Sequence, residues 1–247
     1  MKNPATITSR ESSWFQRFRK AIERHDEELV LEGPKQIEDA IKRGWSPIAE
    51  AFDEALDEVG RSGITFSTSL FRSLSDTRHS QGRLALFQRP RFTLTDLADA
   101  NAPFVALDGV QDPGNVGTVI RTAAAFEAAG VICLEGCADP YSPKSLRASV
   151  GTVLQIPVVT ASVDALLHYA EDHALPLYAT SGRGSTASLP EQRSIIIFGS
   201  EGQGVRAELA RTSQLFRITT SPLVESLNIA AAAAIVLSRM YETRGTR

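Results

Sequence analysis

Phe104-Val-Ala-Leu-Asp108-Gly-Val-Gln-Asp-Pro-Gly-Asn115-Val-Gly-Thr-Val-Ile-Arg121 joins an apolar run, a polar turn and the start of a helical pattern. The run Phe104–Leu107 reads as a buried strand, and apolar positions from about Val116 to Ala128 read as a helix. Asn115 can cap that helix, which would put Arg121 in its second turn near the strand's carboxyl end. Gly117 leaves room for a second backbone to come close. The alternation repeats downstream. Strands are predicted at Val131–Leu134, Val153–Val159, Leu175–Ala179, Ser194–Phe198 and Leu215–Ile218. Helices are predicted at Lys144–Val150, Val163–His173, Arg206–Thr212 and Leu227–Thr243. Strands and helices in this rhythm imply an α/β domain with a parallel sheet covered on both faces. Ligands of such sheets bind beyond the carboxyl ends of the strands, so the loops of interest begin at Asp108, Thr180, Gly199 and Thr219.

Upstream the texture changes. Residues 97–103 read as a linker between the domain at 104–247 and a small α/β domain at 25–96. The latter offers strands at Leu29–Glu32, near Ser46–Phe52 and near Arg83–Gln88, and helices at Lys35–Arg43 and near Glu54–Gly60. Residues 1–24 carry six cations and two anions, with Trp14, Phe15 and Phe18 among the arginines. This reads as an amphipathic helix, either docked with a solvated basic face or contacting RNA.

The 247 residues hold 26 Lys+Arg against 29 Asp+Glu, a net charge of -3, and 43% are hydrophobic. That excludes disorder for most of the chain, and two cysteines exclude a disulfide scaffold. A global charge of this sign argues against nucleic acid, but its distribution does not. Met1–Asp96 is neutral, with 15 charges of each sign, so the acidity belongs to the later domain. Cys133 and Cys137 read as free buried thiols. His25, His79, His168 and His173 show no ligand spacing, so no metal is expected. The longest apolar run, Ile229–Leu237, is too short to span a bilayer, and Met1–Arg24 lacks the apolar core of a signal peptide. No membrane partner and a cytoplasmic location are therefore expected.

The loops exclude several chemistries. The turn after Leu107 is not G-x-G-x-x-G, no P-loop lysine occurs, and no histidine accompanies a nucleophile elbow. Three other segments stand out. The first is Asn115–Arg121. The second, Gly199-Ser-Glu201-Gly202-Gln-Gly204, exposes main-chain groups that could hold an adenine and ribose, or forms an ordinary glycine-rich turn. The third, Ser226-Leu227-Asn228, sets polar groups at a helix start before an alanine run that permits close packing.

In this order the three segments resemble the motifs of the SpoU/TrmH family of RNA 2′-O-ribose methyltransferases. The matching stretches are Asn115-Val-Gly-Thr-Val-Ile-Arg121, Ile196-Ile-Phe-Gly-Ser-Glu201-Gly-Gln-Gly-Val205 and Ser226-Leu-Asn228-Ile-Ala-Ala-Ala. Ser142-Pro-Lys144-Ser-Leu-Arg147-Ala-Ser149-Val-Gly151 also fits. Val30-Leu-Glu32-Gly33-Pro-Lys35 resembles the start of the family's accessory domain, a ribosomal-protein (L30e-like) fold. The resemblance implies a deep trefoil knot, S-adenosylmethionine as cofactor, and a homodimer with the site at its interface. It assigns catalytic roles to Arg121, Asn115, Glu201, Ser226 and Asn228, with Asn115 and Glu201 orienting Arg121 and the ribose. It assigns cofactor contacts to Thr180, Gly199, Glu201, Gly202, Ile218, Leu227 and Asn228. An arginine, always charged, is a poor base, so Arg121 either shares its proton with the RNA phosphate or stabilises the forming alkoxide. Arg17, Arg19, Lys20, Lys35, Lys144, Arg147 and Arg183 are the candidate RNA-backbone contacts. The accessory domain favours rRNA over tRNA. After Ile218 this chain reads Thr219-Thr-Ser-Pro-Leu223, where many members have a proline and a small glycine-containing turn. The rival functions are a non-catalytic RNA-binding or ribosome-assembly factor and a small-molecule methyltransferase.

Overall fold

The computed structural model describes residues 6–56, 62–75, 80–97, 101–185 and 192–244, apart from the side chains at 183 and 185. His79, most of the helix expected at Glu54–Gly60 and the Arg183 side chain lie outside them. The chain divides into two units, Met1–Pro90 with Tyr141–Pro143, and Arg91–Pro140 with Lys144–Arg247.

In the first unit, α1 (Ser13–Arg24) buries Phe15, Phe18 and Ala21 along one stripe. His25, left-handed at φ 40°, ends it by donating its N–H to the Ala21 carbonyl. β1 (Glu28–Glu32) alternates, with Leu29 and Leu31 inward. Pro34 opens α2 (Pro34–Lys42), where its missing N–H costs no helical bond. Then follow β2 (Ala49–Asp53), β3 (Ile64–Phe66), α3 (Thr68–Leu74) and β4 (Arg83–Gln88). The sheet order is β1-β4-β2-β3, with β4 antiparallel to both neighbours and β3 parallel to β2. Phe66 receives Phe15 and Phe18 edge-on, at centroid distances of 6.1 and 5.9 Å. β3 and α3, three and seven residues long, are too short to show a period and are absent from the sequence reading.

The second unit runs β5 (Phe104–Asp108), α4 (Pro113–Ala125), β6 (Gly130–Leu134), α5 (Pro143–Ser149), β7 (Val158–Ala161) and α6 (Val163–Asp172). It continues with β8 (Leu177–Ser185), β9 (Ile195–Gly199), α7 (Ala207–Thr212), β10 (Gln214–Phe216) and α8 (Ile229–Arg244). All six strands are parallel, in the order β10-β8-β9-β5-β6-β7. The central strands β5 and β6 are buried at every position, which is why they read as apolar runs, interrupted only by Asp108 at the end of β5. Among the described residues no helix is long and apolar enough to cross a membrane.

Several boundaries differ from expectation. The strand expected at Val153–Val159 is shorter. Val150 and Gly151 turn left-handed (φ 52° and 76°) into a single 3₁₀ turn at Thr152–Leu154, and pairing begins only at Val158. The Gly/Ser-rich stretch after Ala179, read as a loop, extends β8 to Ser185. Gly184 permits this, because a Cβ there would lie 2.5 Å from the Phe216 backbone. Asn115 does not cap α4. Asp112 does, its Oδ1 accepting the N–H groups of Gly114 (2.6 Å) and Asn115 (3.2 Å), with Pro113 in the first helical position. Arg121 is consequently in the third turn of α4, not the second. α8 likewise begins at Ile229 rather than Leu227.

Candidate active site

At the carboxyl end of β9 the chain folds back sharply on itself. A Cβ at Gly199 would lie 2.0 Å from the Gly204 backbone, so only glycine fits where the loop doubles over. Ser200 and Gly204 form an isolated bridge, and the Gly204 N–H donates to the Ser200 carbonyl at 2.8 Å. Gly204 itself is left-handed at φ 69°. Glu201 stands in this pinched loop, exposed to solvent.

The loop borders a cavity of about 870 Å³. Its other walls come from Thr180–Gly182 on β8, from Leu215, from Arg217 through Pro222, and from Val224 through Leu227. Of the expected cofactor contacts, Thr180, Gly199, Glu201, Ile218 and Leu227 line it, as does Ser226. Gly202 and Asn228 are not among the lining residues, though each adjoins one in sequence. The Thr180 hydroxyl is already committed to the Ile197 carbonyl at 3.2 Å. Sequence reading missed Arg217 and Glu225, two charged residues on the cavity wall. Each stands immediately beside an expected site residue, Ile218 or Ser226, and nothing in periodicity or spacing set them apart.

The three motif segments meet at one carboxylate oxygen. Glu201 Oε1 accepts from Asn115 Nδ2 at 2.9 Å and from Asn228 Nδ2 at 2.7 Å. Asn228 Nδ2 also donates to Asn115 Oδ1 at 3.1 Å, while its own Oδ1 caps α8 by accepting the Ala230 N–H at 2.9 Å. Both asparagine amides are thus oriented by their partners. Glu201 Oε2 has no partner among the described residues and remains an open acceptor.

Asn115 is held in place from below. A Cβ on Gly117 would lie 2.4 Å from the Ser145 carbonyl, so α5 crosses α4 at the closest range a glycine allows. The Ser145 hydroxyl lies 3.0 Å from the Pro113 carbonyl and 2.8 Å from that of Asp139. Lys144 Nζ donates to Asp112 at 2.9 Å and, with the Asn115 and Gly114 amides, holds the Asp112 carboxyl below the usual carboxylate range.

Arg121 is not brought to this junction. Six residues beyond Asn115, it sits about 9 Å further along α4 and about 120° around it. It is exposed, does not line the cavity and has no partner among the described residues. Asn115 and Glu201 hold each other and Asn228, not Arg121. Of the candidate RNA contacts, Arg17 forks onto Glu28 (Nη2 to Oε1, 2.5 Å) beneath Trp14, and Arg19 pairs with Glu23 at 3.2 Å. Lys20 and Lys35 are exposed without an ion pair to a described residue, and Arg147 is half-buried on α5. Cys133 and Cys137 are free, the first buried and the second only half-buried.

The profile of the SpoU rRNA Methylase family matches residues 102–238. An uncharacterized tRNA/rRNA methyltransferase of Synechocystis sp. is 32% identical, over 97% of this chain and 93% of its own length. The 23S rRNA (guanosine(2553)-2'-O)-methyltransferase RlmP of Bacillus subtilis is 31% identical over 88% of each chain. The solved structure of an AdoMet-bound rRNA methyltransferase from Sinorhizobium meliloti superposes with a TM-score of 0.84 at 27% identity, over 97% of this chain and 98% of that one. The chain belongs to the SpoU rRNA methylase family.

Proposed function

We propose that this protein transfers a methyl group from S-adenosylmethionine to a ribose 2′-hydroxyl of a structured RNA, rRNA in preference to tRNA. The observation that carries this reading is the convergence of Asn115, Glu201 and Asn228 beside the cavity at the carboxyl end of β9. The cavity suits the cofactor. Gly199 lets the loop double back at the cavity's edge, and Gly199, Ile218 and Leu227, whose main-chain groups the resemblance assigns to the cofactor, all line it. S-adenosylmethionine, when bound, supplies an electrophilic methyl carbon on a sulfonium.

The chain's own task is then to place and deprotonate a hydroxyl. Glu201 Oε2 accepts the ribose O–H, and its position is fixed by the two asparagines on Oε1. Ser226 lines the same wall and shapes the approach. Positioning of this kind can be worth effective molarities of about 10⁵ M or more. Arg121 steadies the negative charge that develops on the ribose oxygen. Its distance from Asn115 and its lack of a partner among the described residues favour a homodimer in which one copy's Arg121 serves the other's cavity.

The first unit supplies RNA binding through Arg17, Arg19, Lys20 and Lys35, joined by Lys144, Arg147 and Arg183 of the second. It is the L30e-like accessory domain of this reading, and the second unit carries the knotted C-terminal segment that the resemblance implies. The rRNA preference rests on the accessory domain's resemblance to a ribosomal-protein fold, with the named rRNA substrate of the Bacillus subtilis relative beside it, and the cytoplasm is the corresponding location. Titration calorimetry with S-adenosylmethionine and its demethylated product tests the cofactor assignment. One site per chain is expected for each; no uptake of either would overturn it.

A further inference from the structure

Asp108, the last residue of β5, is the only buried charged side chain among the described residues, 3% exposed. A carboxylate in such a place is costly unless both oxygens are satisfied. Here one residue satisfies both. Arg206 Nε donates to Oδ1 at 2.6 Å, and the Arg206 backbone N–H donates to Oδ2 at 2.7 Å. The same guanidinium reaches on through Nη2 to the Glu135 carbonyl after β6, at 2.9 Å.

The placement of this pair is specific. The Asp108 backbone is the register partner of Gly199, where the cavity loop begins. Arg206 is the residue at which that loop ends and α7 follows. Asp108 thus fixes the entrance of the loop through its main chain and the exit through its side chain. Everything between, Gly199 to Val205, lines the cavity except Gly202, and includes Glu201. A hydrophobic pair could tie the strand to the helix equally well for stability, but only a forked, charge-assisted contact sets direction as well as distance.

We infer that Asp108 and Arg206 are positioning residues, which hold the loop in the shape that receives the cofactor and presents Glu201. This deepens the methyl-transfer reading and rests on it. Arg206→Ala removes the guanidinium while keeping the backbone N–H to Asp108. Asp108→Asn keeps an acceptor but removes the charge. Calorimetry with S-adenosylmethionine, well below the unfolding temperature, should show affinity reduced about tenfold or more in either variant. KM for the cofactor should rise in parallel, and kcat at saturation should fall with it, because Glu201 rides on the same loop. Arg206→Lys, which keeps one charged donor, should bind closer to wild type than Arg206→Ala. Amide exchange at residues 200–205 should quicken in Arg206→Ala. Should Asp108→Asn fail to fold, Arg206→Ala, altered only at a side chain one-third exposed, decides alone. Folded variants with lowered stability but wild-type affinity and KM would overturn the inference alone. Wild-type protein that takes up no cofactor would overturn the methyl-transfer reading and this inference with it.

Discussion

Asn228 donates to Glu201 across 2.7 Å, though 27 residues separate them in sequence. The same Glu201 oxygen is reached by Asn115, 86 residues away. A helix cap, a pinched loop and the first turn of another helix are thereby joined at one atom. All three elements lie at the carboxyl edge of the parallel sheet, the edge where such folds bind ligands.

The junction should behave as a unit. Glu201→Gln keeps an oxygen to accept both asparagines, so thermal stability should change by no more than about 0.5 kcal/mol. It removes the carboxylate that the proposed reaction uses at Oε2, and turnover should fall at least about tenfold. A double-mutant cycle of Asn115→Ala and Asn228→Ala, read by denaturant unfolding, should return a coupling energy of about 0.5–1.5 kcal/mol. Additive effects would mean that the contacts do not cooperate.

Arg121→Ala should leave the fold and cofactor affinity unchanged, because the side chain is exposed and outside the cavity. Its methyl-transfer rate should drop about 100-fold or more, the scale of losing a group that stabilises developing charge. Stopped assays at saturating cofactor and RNA measure this. A variant that retains turnover would remove Arg121 from the chemistry.

Two of the glycines at close backbone approaches, Gly117 and Gly199, should be intolerant, and Gly204 should not. Gly117→Ala must push α5 off α4, and Gly199→Ala must open the loop. Each should cost roughly 1–3 kcal/mol as overpacking, and Gly199→Ala should also lose cofactor binding. At Gly204 a Cβ meets nothing within 4 Å, so Gly204→Ala should cost only the left-handed backbone penalty, about 1 kcal/mol. Chemical denaturation of the three variants ranks them.

These close approaches also show what the sequence made legible. The parallel α/β unit was readable because β6 and β9 are apolar throughout and β5 is apolar up to its terminal Asp108, as strands covered on both faces must be. Asn115, Glu201 and Asn228 were readable only by resemblance, since their contacts span 27 to 113 residues and leave no local period. The cap of α4 was misplaced because Asp112 and Asn115 both favour such positions, and the Pro113 that decides between them was passed over. Arg217 and Glu225 face the cavity only because the chain between Phe216 and Ile229 curls around it.

The thiols give a pH signature. Burial raises the pKa of Cys133 and Cys137 above the ordinary thiol value, so the folded protein keeps both protons longer than the unfolded chain does. That contribution to stability is intact below the unfolded thiol pKa, about 8.5, and is lost as pH rises through the folded values. At the acid end Asp112 acts in the opposite sense, its lowered pKa withdrawing stability as pH falls through the folded value. Unfolding midpoints measured across pH should therefore decline at both ends. A disulfide-exchange reagent should react slowly with the native protein at pH 8 and rapidly with two thiols after denaturation.

RNA binding should weaken with salt, with a modest slope, because Arg17 and Arg19 already have acidic partners and the chain as a whole is acidic. The most direct test of the central claim is the mapping of methyl groups. Protein is incubated with methyl-labelled S-adenosylmethionine and, separately, with unmodified rRNA and tRNA, and the labelled positions are located by resistance to alkaline cleavage. Label on a ribose 2′-oxygen of rRNA, absent with Arg121→Ala, is the predicted result. Label on a base, or on neither RNA while the cofactor binds, would contradict it.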